Sequence, residues 1–182
     1  MKVYNTTDLF SQVQKHFAPI LSHHELKKGI LLHKEGELGL QLFFVKKGVL
    51  RSFYYLNGKD ITSHFAFENG IIGAADSIIR GEKSRYNIEV LEDSQVSAID
   101  YKKMEAFLEV NPHLERLARL FSQYLYIDLV ERIEELTFLT AAEKYRRLTK
   151  RFPHIDQRVN LGHIASYLGL SQETLSRVRA ER

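Results

Sequence analysis

The sequence predicts an α+β protein in three parts, and three observations lead to this prediction. Short apolar runs separated by turn residues occupy most of the first 100 residues, as in a β-sandwich or barrel. A helical spacing of apolar residues begins at Pro112, and two short helices joined by a tight turn follow near the C-terminus. We therefore expect a β domain at 1–111, a long helix at 112–138 and a helical domain at 139–182.

The composition excludes several classes of protein. With 44% hydrophobic and 27% charged residues, the chain has the make-up of an ordinary globular protein. It has no cysteine, which excludes disulfides, cysteine-ligated zinc and iron–sulfur clusters. No apolar run approaches the roughly 20 residues that cross a bilayer. We expect a cytoplasmic protein that does not bind membranes.

Basic charge is concentrated at the C-terminal end. From Thr140 onward the chain has nine basic and four acidic residues, a net charge of +5, whereas the preceding 139 residues carry −2. This asymmetry favours a polyanion such as nucleic acid as a partner of the last domain. The alternative is that these side chains only solvate a helical surface.

The β region contains a hairpin signal. The apolar stretch from Val49 to Leu56 leads into Asn57-Gly58, and both of these residues tolerate the positive φ of a type I′ turn. The residues after the turn alternate between apolar and polar side chains, as expected of a half-buried strand. Asp100 is placed to cap a short helix at 101–110.

Apolar residues recur at intervals of three and four after Pro112. A second apolar stripe lies beside the first and widens the surface to be covered. Two adjacent stripes require a second partner, and we expect that partner to be another copy of the chain. The predicted dimer contacts are Leu117, Phe121, Leu125, Leu129 and Ile133. A central helix buried within one large domain is the alternative.

The C-terminal pattern is typical of a helix-turn-helix. Asn160 can cap the first helix, and Gly169 can adopt the positive φ that ends it. Ser171 then caps the second helix. Ala165 is small where the two helices cross, and Leu175 faces the shared core.

The outward face of the second helix has the chemistry of base recognition. A carboxylate accepts from the cytosine amino group, and a guanidinium donates to guanine. We expect base contacts from Gln172, Glu173, Ser176 and Arg177, and phosphate contacts from Ser171, Arg179, Lys144 and Arg147. The alternative is that Glu173 and Arg177, four residues apart, form only a surface ion pair.

Four segments resemble the cyclic-AMP receptor (Crp/Fnr) superfamily of bacterial transcription regulators. Lys28–Glu37 and Phe44–Arg51 look like the glycine-marked strands of its sensor domain. Pro112–Leu136 is similar to its dimerisation helix. Ser171–Arg177 is similar to its recognition helix, which typically begins Ser-Arg-Glu-Thr.

The resemblance implies a cyclic-nucleotide-binding-like β-roll of jelly-roll type, a dimerisation helix and a winged-helix-like DNA-binding domain. It implies a homodimer that reads double-stranded DNA with two-fold symmetry. RNA polymerase and a small-molecule effector are further partners of this kind of protein. Glu173 and Arg177 match the family motif, whereas Gln172 replaces its first Arg, so the base preference there differs. The sequence ends four residues after Val178, where relatives often add a β-hairpin wing.

The sensor region departs from the cyclic-nucleotide binders of the family. Their Gly-Glu pair reads Gly73-Ala74 here, and Ser84 occupies the place of their phosphate-binding Arg. Because strand side chains alternate faces, Arg85, one residue out of register, would point away from the pocket. We expect no cofactor and no response to cyclic AMP. The residues left to hold an unknown effector are Gly73, Ala74, Ala75, Arg80, Ser84 and Arg85. A structural β-roll without a ligand is the alternative.

Two other functions remain open at this point. The chain could be a ligand-binding sensor that regulates protein partners rather than DNA. It could also be a cupin-like metalloenzyme, since His23 and His24 are paired in the β region. Adjacent residues on a strand face opposite sides, so this pair does not have the geometry of a metal site. We predict no catalytic residues and no metal ligands.

Overall fold

The computed structural model describes residues 6–180. The helices are α1 (Thr6–Phe17), α2 (Ala75–Arg80), α3 (Tyr101–Val110), α4 (Glu115–Phe138), α5 (Ala141–Arg151), α6 (Ile155–Arg158), α7 (Leu161–Leu168) and α8 (Gln172–Ala180). The strands are β1 (Ser22–Leu26), β2 (Leu31–His33), β3 (Gln41–Lys47), β4 (Leu50–Leu56), β5 (Lys59–Ala66), β6 (Ile71–Gly73), β7 (Asn87–Val90) and β8 (Ser94–Asp100). The predicted α+β class is confirmed.

The strands form two antiparallel sheets, in the orders β1-β8-β3-β6 and β2-β7-β4-β5. The predicted hairpin joins β4 to β5, with Asn57 at φ 51° and Gly58 at φ 75°. Apolar side chains from both sheets meet in one core, which makes the domain a sandwich. These are Phe43, Val45, Leu50, Ala66, Ile72, Ile88, Val90, Val96 and Ala98.

Helices cover the outer face of the first sheet. Phe44 and Ile99 point outward from β3 and β8, and α1, α3 and the start of α4 pack over them. Asp100 caps α3 by accepting a hydrogen bond from the backbone N–H of Lys103 at 3.1 Å, as predicted. The α-helix itself begins at Glu115, because Pro112–Leu114 forms a 3-10 turn.

The long helix α4 divides into two halves with different environments. Leu117 and Phe121 are partly buried against the core of the β-sandwich in their own chain. No residue of α4 is completely buried. Leu129 and Ile133 are each 56% exposed, and Leu125 is 39% exposed. The exposed large apolar side chains of α4 therefore lie from Leu125 onward.

The helix-turn-helix consists of α7 and α8 with the predicted caps. Asn160 accepts from the backbone N–H of Gly162 at 2.7 Å, and Gly169 ends α7 at φ 66°. Ser171 accepts from the backbone N–H of Thr174 at 3.1 Å. Ile164, Ala165 and Leu175 are buried in the shared core, as predicted. No helix between residues 6 and 180 is long and apolar enough to span a membrane.

Candidate nucleic-acid interface

The second helix of the motif, α8, presents a polar face to solvent. Leu175 is fully buried, which fixes the rotation of the helix about its axis. Glu173, Ser176 and Arg177 consequently lie on the exposed side. A carboxylate, a hydroxyl and a guanidinium thus share one accessible surface near the start of the helix, where base-reading side chains are found in helix-turn-helix proteins.

Gln172 and Ser171 stand at the N-terminus of this helix in different roles. Gln172 is exposed, and its amide nitrogen lies over Gly162, where a Cβ atom would approach it to 2.6 Å. The Ser171 hydroxyl is engaged in the helix cap and lies 2.9 Å from the hydroxyl of Thr174. Ser171 therefore has the geometry of a cap, and Gln172 is held above the start of α7.

Three of the predicted phosphate-binding side chains lie on α5 and α8. Arg179 is exposed, with Nε 3.7 Å from a carboxylate oxygen of Asp156. Arg147 on α5 is exposed and lies 3.3 Å from Glu135. Lys144 is half-buried. The two arginines carry surface ion pairs that cost little to exchange for a phosphate.

The DNA-binding helices dock on the outer face of the second sheet. Phe65 contacts Tyr167 with ring centroids 5.0 Å apart, and Phe67 stacks on Phe152 at 4.3 Å. The Ser166 hydroxyl accepts from the backbone N–H of Thr62 at 2.9 Å. The aromatic residues after the hairpin therefore hold the C-terminal domain.

A buried arginine lies at the centre of this contact. Arg51 on β4 is 2% exposed. Its guanidinium donates to both carboxylate oxygens of Asp60, at 2.6 and 2.8 Å, to Glu89 at 2.5 Å and to Thr62 at 3.0 Å. Its Nη1 also lies 2.6 Å from Nδ1 of His163 on α7. One side chain thus joins three strands to the DNA-binding motif.

A second arginine links the two parts at their edge. Arg158 contacts Glu68 at 2.6 Å and Glu92 at 2.5 Å. The hydrogen bond from Arg158 lowers the pKa of Glu68 to about 2. Sequence reasoning missed both interdomain arginines. The one sequence signal for Arg51 was a charged residue in a mostly apolar strand, because a buried charge requires partners.

The structure places the predicted effector residues in different surroundings. Ser84 is buried and donates to Asp76 at 2.7 Å. Arg85 is exposed and lies over the rings of Tyr54 and Tyr86, at 4.8 and 5.1 Å. Its guanidinium therefore lies on the outer surface, in contact with these two rings.

The other four predicted effector residues are Gly73, Ala74, Ala75 and Arg80. Ala75 and Arg80 are exposed on α2, whereas Gly73 ends β6. Ala74 is buried and lines a cavity of about 370 Å³ whose lining includes neither Arg80 nor Arg85. Neither arginine thus offers a positive charge to a ligand in this cavity.

Comparison with known proteins shows which proteins this chain is similar to. Residues 23–111 match the cyclic nucleotide-binding domain family. The transcriptional activator protein Anr of Pseudomonas aeruginosa is 27% identical over 166 residues, which cover 84% of this chain and 67% of Anr.

Two solved structures share the fold over nearly the whole chain. FixK2 from Bradyrhizobium japonicum has a TM-score of 0.69 at 20% identity, covering 89% of this chain and 84% of FixK2. A transcriptional regulator of the Crp/Fnr family from Eubacterium rectale has a TM-score of 0.65 at 19% identity, covering 94% and 82%. Anr is a transcriptional activator, and the Eubacterium rectale protein is a transcriptional regulator of the Crp/Fnr family. The sandwich, long helix and helix-turn-helix of this chain thus share the fold of these two structures, and its residues 23–111 match the cyclic nucleotide-binding domain family.

Proposed function

We propose that the chain is a cytoplasmic, sequence-specific regulator of transcription that binds double-stranded DNA as a homodimer and is not an enzyme. Its parts are a sensor domain at 1–111, a dimerisation helix at 112–138 and a DNA-binding domain at 139–182. The exposed polar face of α8 carries the proposal. RNA polymerase and a small-molecule effector are further partners that we assign on the family resemblance alone.

The roles of the side chains follow from their positions. Glu173 and Arg177 reach base edges if α8 enters the major groove, and Gln172 and Ser176 stand beside them. Arg179 and Arg147 lie to the side and contact phosphates, with Lys144 and Ser171 as additional phosphate contacts. Base readers supply the sequence preference, whereas the flanking cations supply affinity for any duplex.

The sensor domain acts without cyclic AMP in this proposal. Ser84 and Ala74 replace the two groups that would hold the phosphate and the ribose. Arg85 is held on the outer surface by two tyrosine rings. An effector of another class is needed if the sensor domain binds one.

Selection from a random duplex library by the purified full chain tests the proposal. We expect enrichment of a two-fold symmetric sequence whose half-sites lie about 10–10.5 base pairs apart, centre to centre. The double variant E173A/R177A should lose the enrichment while still retaining library DNA at low salt. A wild-type protein that retains DNA without enriching any sequence would contradict the proposal.

A further inference from the structure

A cavity of about 310 Å³ lies at the free edge of the second sheet, beside β5, where the sensor domain meets α4 and α5. Its volume is that of a small-molecule site. It contains none of the six residues predicted for an effector. Beside His64, six aromatic residues line it, namely Phe10, Phe65, Phe67, Phe121, Tyr124 and Phe152.

The charged groups of this cavity come from two helices and the turn after β5. Asp128 on α4 forms an ion pair with Arg151 on α5. Glu68 is also part of the lining, but its carboxylate is held by Arg158 and by the backbone N–H of Gly48 at 2.9 Å. Both carboxylates of the cavity are thus already bound to an arginine.

Three of the arginines at the domain junction differ in how many carboxylates they hold. Arg51 binds Asp60 and Glu89, and Arg158 binds Glu68 and Glu92. In the part of the chain that the structure describes, Arg151 has an ion pair with Asp128 and with no second carboxylate. A guanidinium has five N–H donors in a planar fork, enough for two carboxylates. Arg151 therefore offers a place for one more anion at the aromatic wall.

We infer that this cavity binds a small aromatic carboxylate, with its ring among the phenylalanines and its carboxylate on the Arg151 guanidinium. Burial of the ring provides the non-directional part of the affinity, and the charged hydrogen bonds to Arg151 orient the ligand.

The position of the cavity gives the ligand a regulatory effect, and this part rests on the proposed function. The walls belong to β5, α4 and α5, and α5 also packs against α8. A ligand that bridges Arg151 to the sensor domain therefore favours one placement of the DNA-binding helices over others.

Calorimetric titration of the full chain with benzoate, in the absence of DNA, tests the inference. We expect saturable one-to-one binding. The neutral isostere benzamide should bind at least about tenfold more weakly, because it lacks the charge that Arg151 recognises. Benzylamine, which carries the opposite charge, should not bind.

Two variants of neighbouring cations sharpen the test. Arg151→Gln should weaken benzoate binding at least about tenfold and leave benzamide unchanged. If Arg151→Gln does not fold, Arg151→Lys keeps the charge and loses the fork, so an intermediate loss is expected. Lys150→Gln is the matched control, since Lys150 is exposed and does not line the cavity, and it should bind benzoate like the wild type.

The inference is overturned if benzoate does not bind at millimolar concentration, if benzylamine binds better, or if Lys150→Gln loses as much affinity as Arg151→Gln. Each result is independent of DNA. A chain that binds benzoate but no DNA would contradict the proposed function and leave the cavity assignment intact, and the reverse result would contradict only the assignment.

Discussion

Nη1 of Arg51 on the sensor sheet lies 2.6 Å from Nδ1 of His163 on the first helix of the DNA-binding motif. A guanidinium nitrogen can only donate, so Nδ1 must accept and the ring proton resides on Nε2. His163 is therefore neutral in the docked state. Burial, followed by the positive charge of Arg51, lowers the pKa of His163 below its usual value of 6.5.

Acid should weaken the docking of the two domains. A histidine whose pKa is lowered in the docked state takes up a proton more readily once it is released. Its contribution is therefore fully present above pH 6.5 and is lost as the pH falls through the lowered pKa. The carboxylates of Asp60 and Glu89 also face His163 and oppose the effect of Arg51 without reversing it.

The variant His163→Gln isolates this contribution, because glutamine offers an oxygen acceptor and does not titrate. Urea unfolding at a series of pH values should show a wild-type free energy that falls more steeply with acid, by at most about 1.4 kcal/mol per pH unit. His33 and His64, whose pKa values are also lowered by burial, remain in both proteins. Identical pH slopes for the two proteins would refute the link between His163 and docking.

Dimerisation should depend on the second half of α4. Ile133 is 56% exposed, so Ile133→Asp should leave the single chain folded and convert the dimer to a monomer, because a charge in an apolar seam loses its hydration without a partner. Leu117→Asp is the contrasting change, since Leu117 packs against the sensor core and its replacement should lower the stability of the chain itself. Sedimentation and thermal unfolding separate the two effects. A wild-type chain that sediments as a monomer at micromolar concentration would contradict the dimer.

Cyclic AMP should bind weakly or not at all. Each lost charged contact costs on the order of 1.5–3 kcal/mol, so the absence of both the ribose and the phosphate contact should weaken binding roughly a hundredfold or more. The hydroxyl of Ser84 is in addition committed to Asp76. Calorimetry with cyclic AMP measures this directly, and a micromolar dissociation constant would show that another cation has taken over the phosphate.

Sequence signals correctly predicted the turns and helix caps, which depend on interactions between residues close together in the chain. Asn57-Gly58 indicated its hairpin, and the Asn160 and Ser171 caps indicated the two helices of the motif, because each depends on residues a few positions apart. The docking of Arg51 on His163 joins residues 112 positions apart. No sequence periodicity indicates a contact between residues this far apart, so only the structure reveals it.

The same distinction between local and long-range contacts applies to α4. The apolar spacing correctly predicted a long helix with apolar surface on more than one side. The spacing does not indicate which neighbours each side chain contacts. Phe121 contacts Phe44 of the same chain, with ring centroids 6.3 Å apart, whereas Ile133 is exposed to solvent. Which stripe faces its own sheet depends on where the helix crosses the sensor domain.

The most direct test of sequence-specific DNA reading compares Arg177→Ala with Arg179→Ala on a selected and a scrambled duplex across a salt series. Arg177→Ala should cost about 1–3 kcal/mol per half-site on the selected duplex and little on the scrambled one, because it removes a base contact. Arg179→Ala should weaken both duplexes alike and reduce the salt dependence, because it removes a phosphate contact. Equal losses on both duplexes for Arg177→Ala would contradict the assignment of α8 as the base-reading helix.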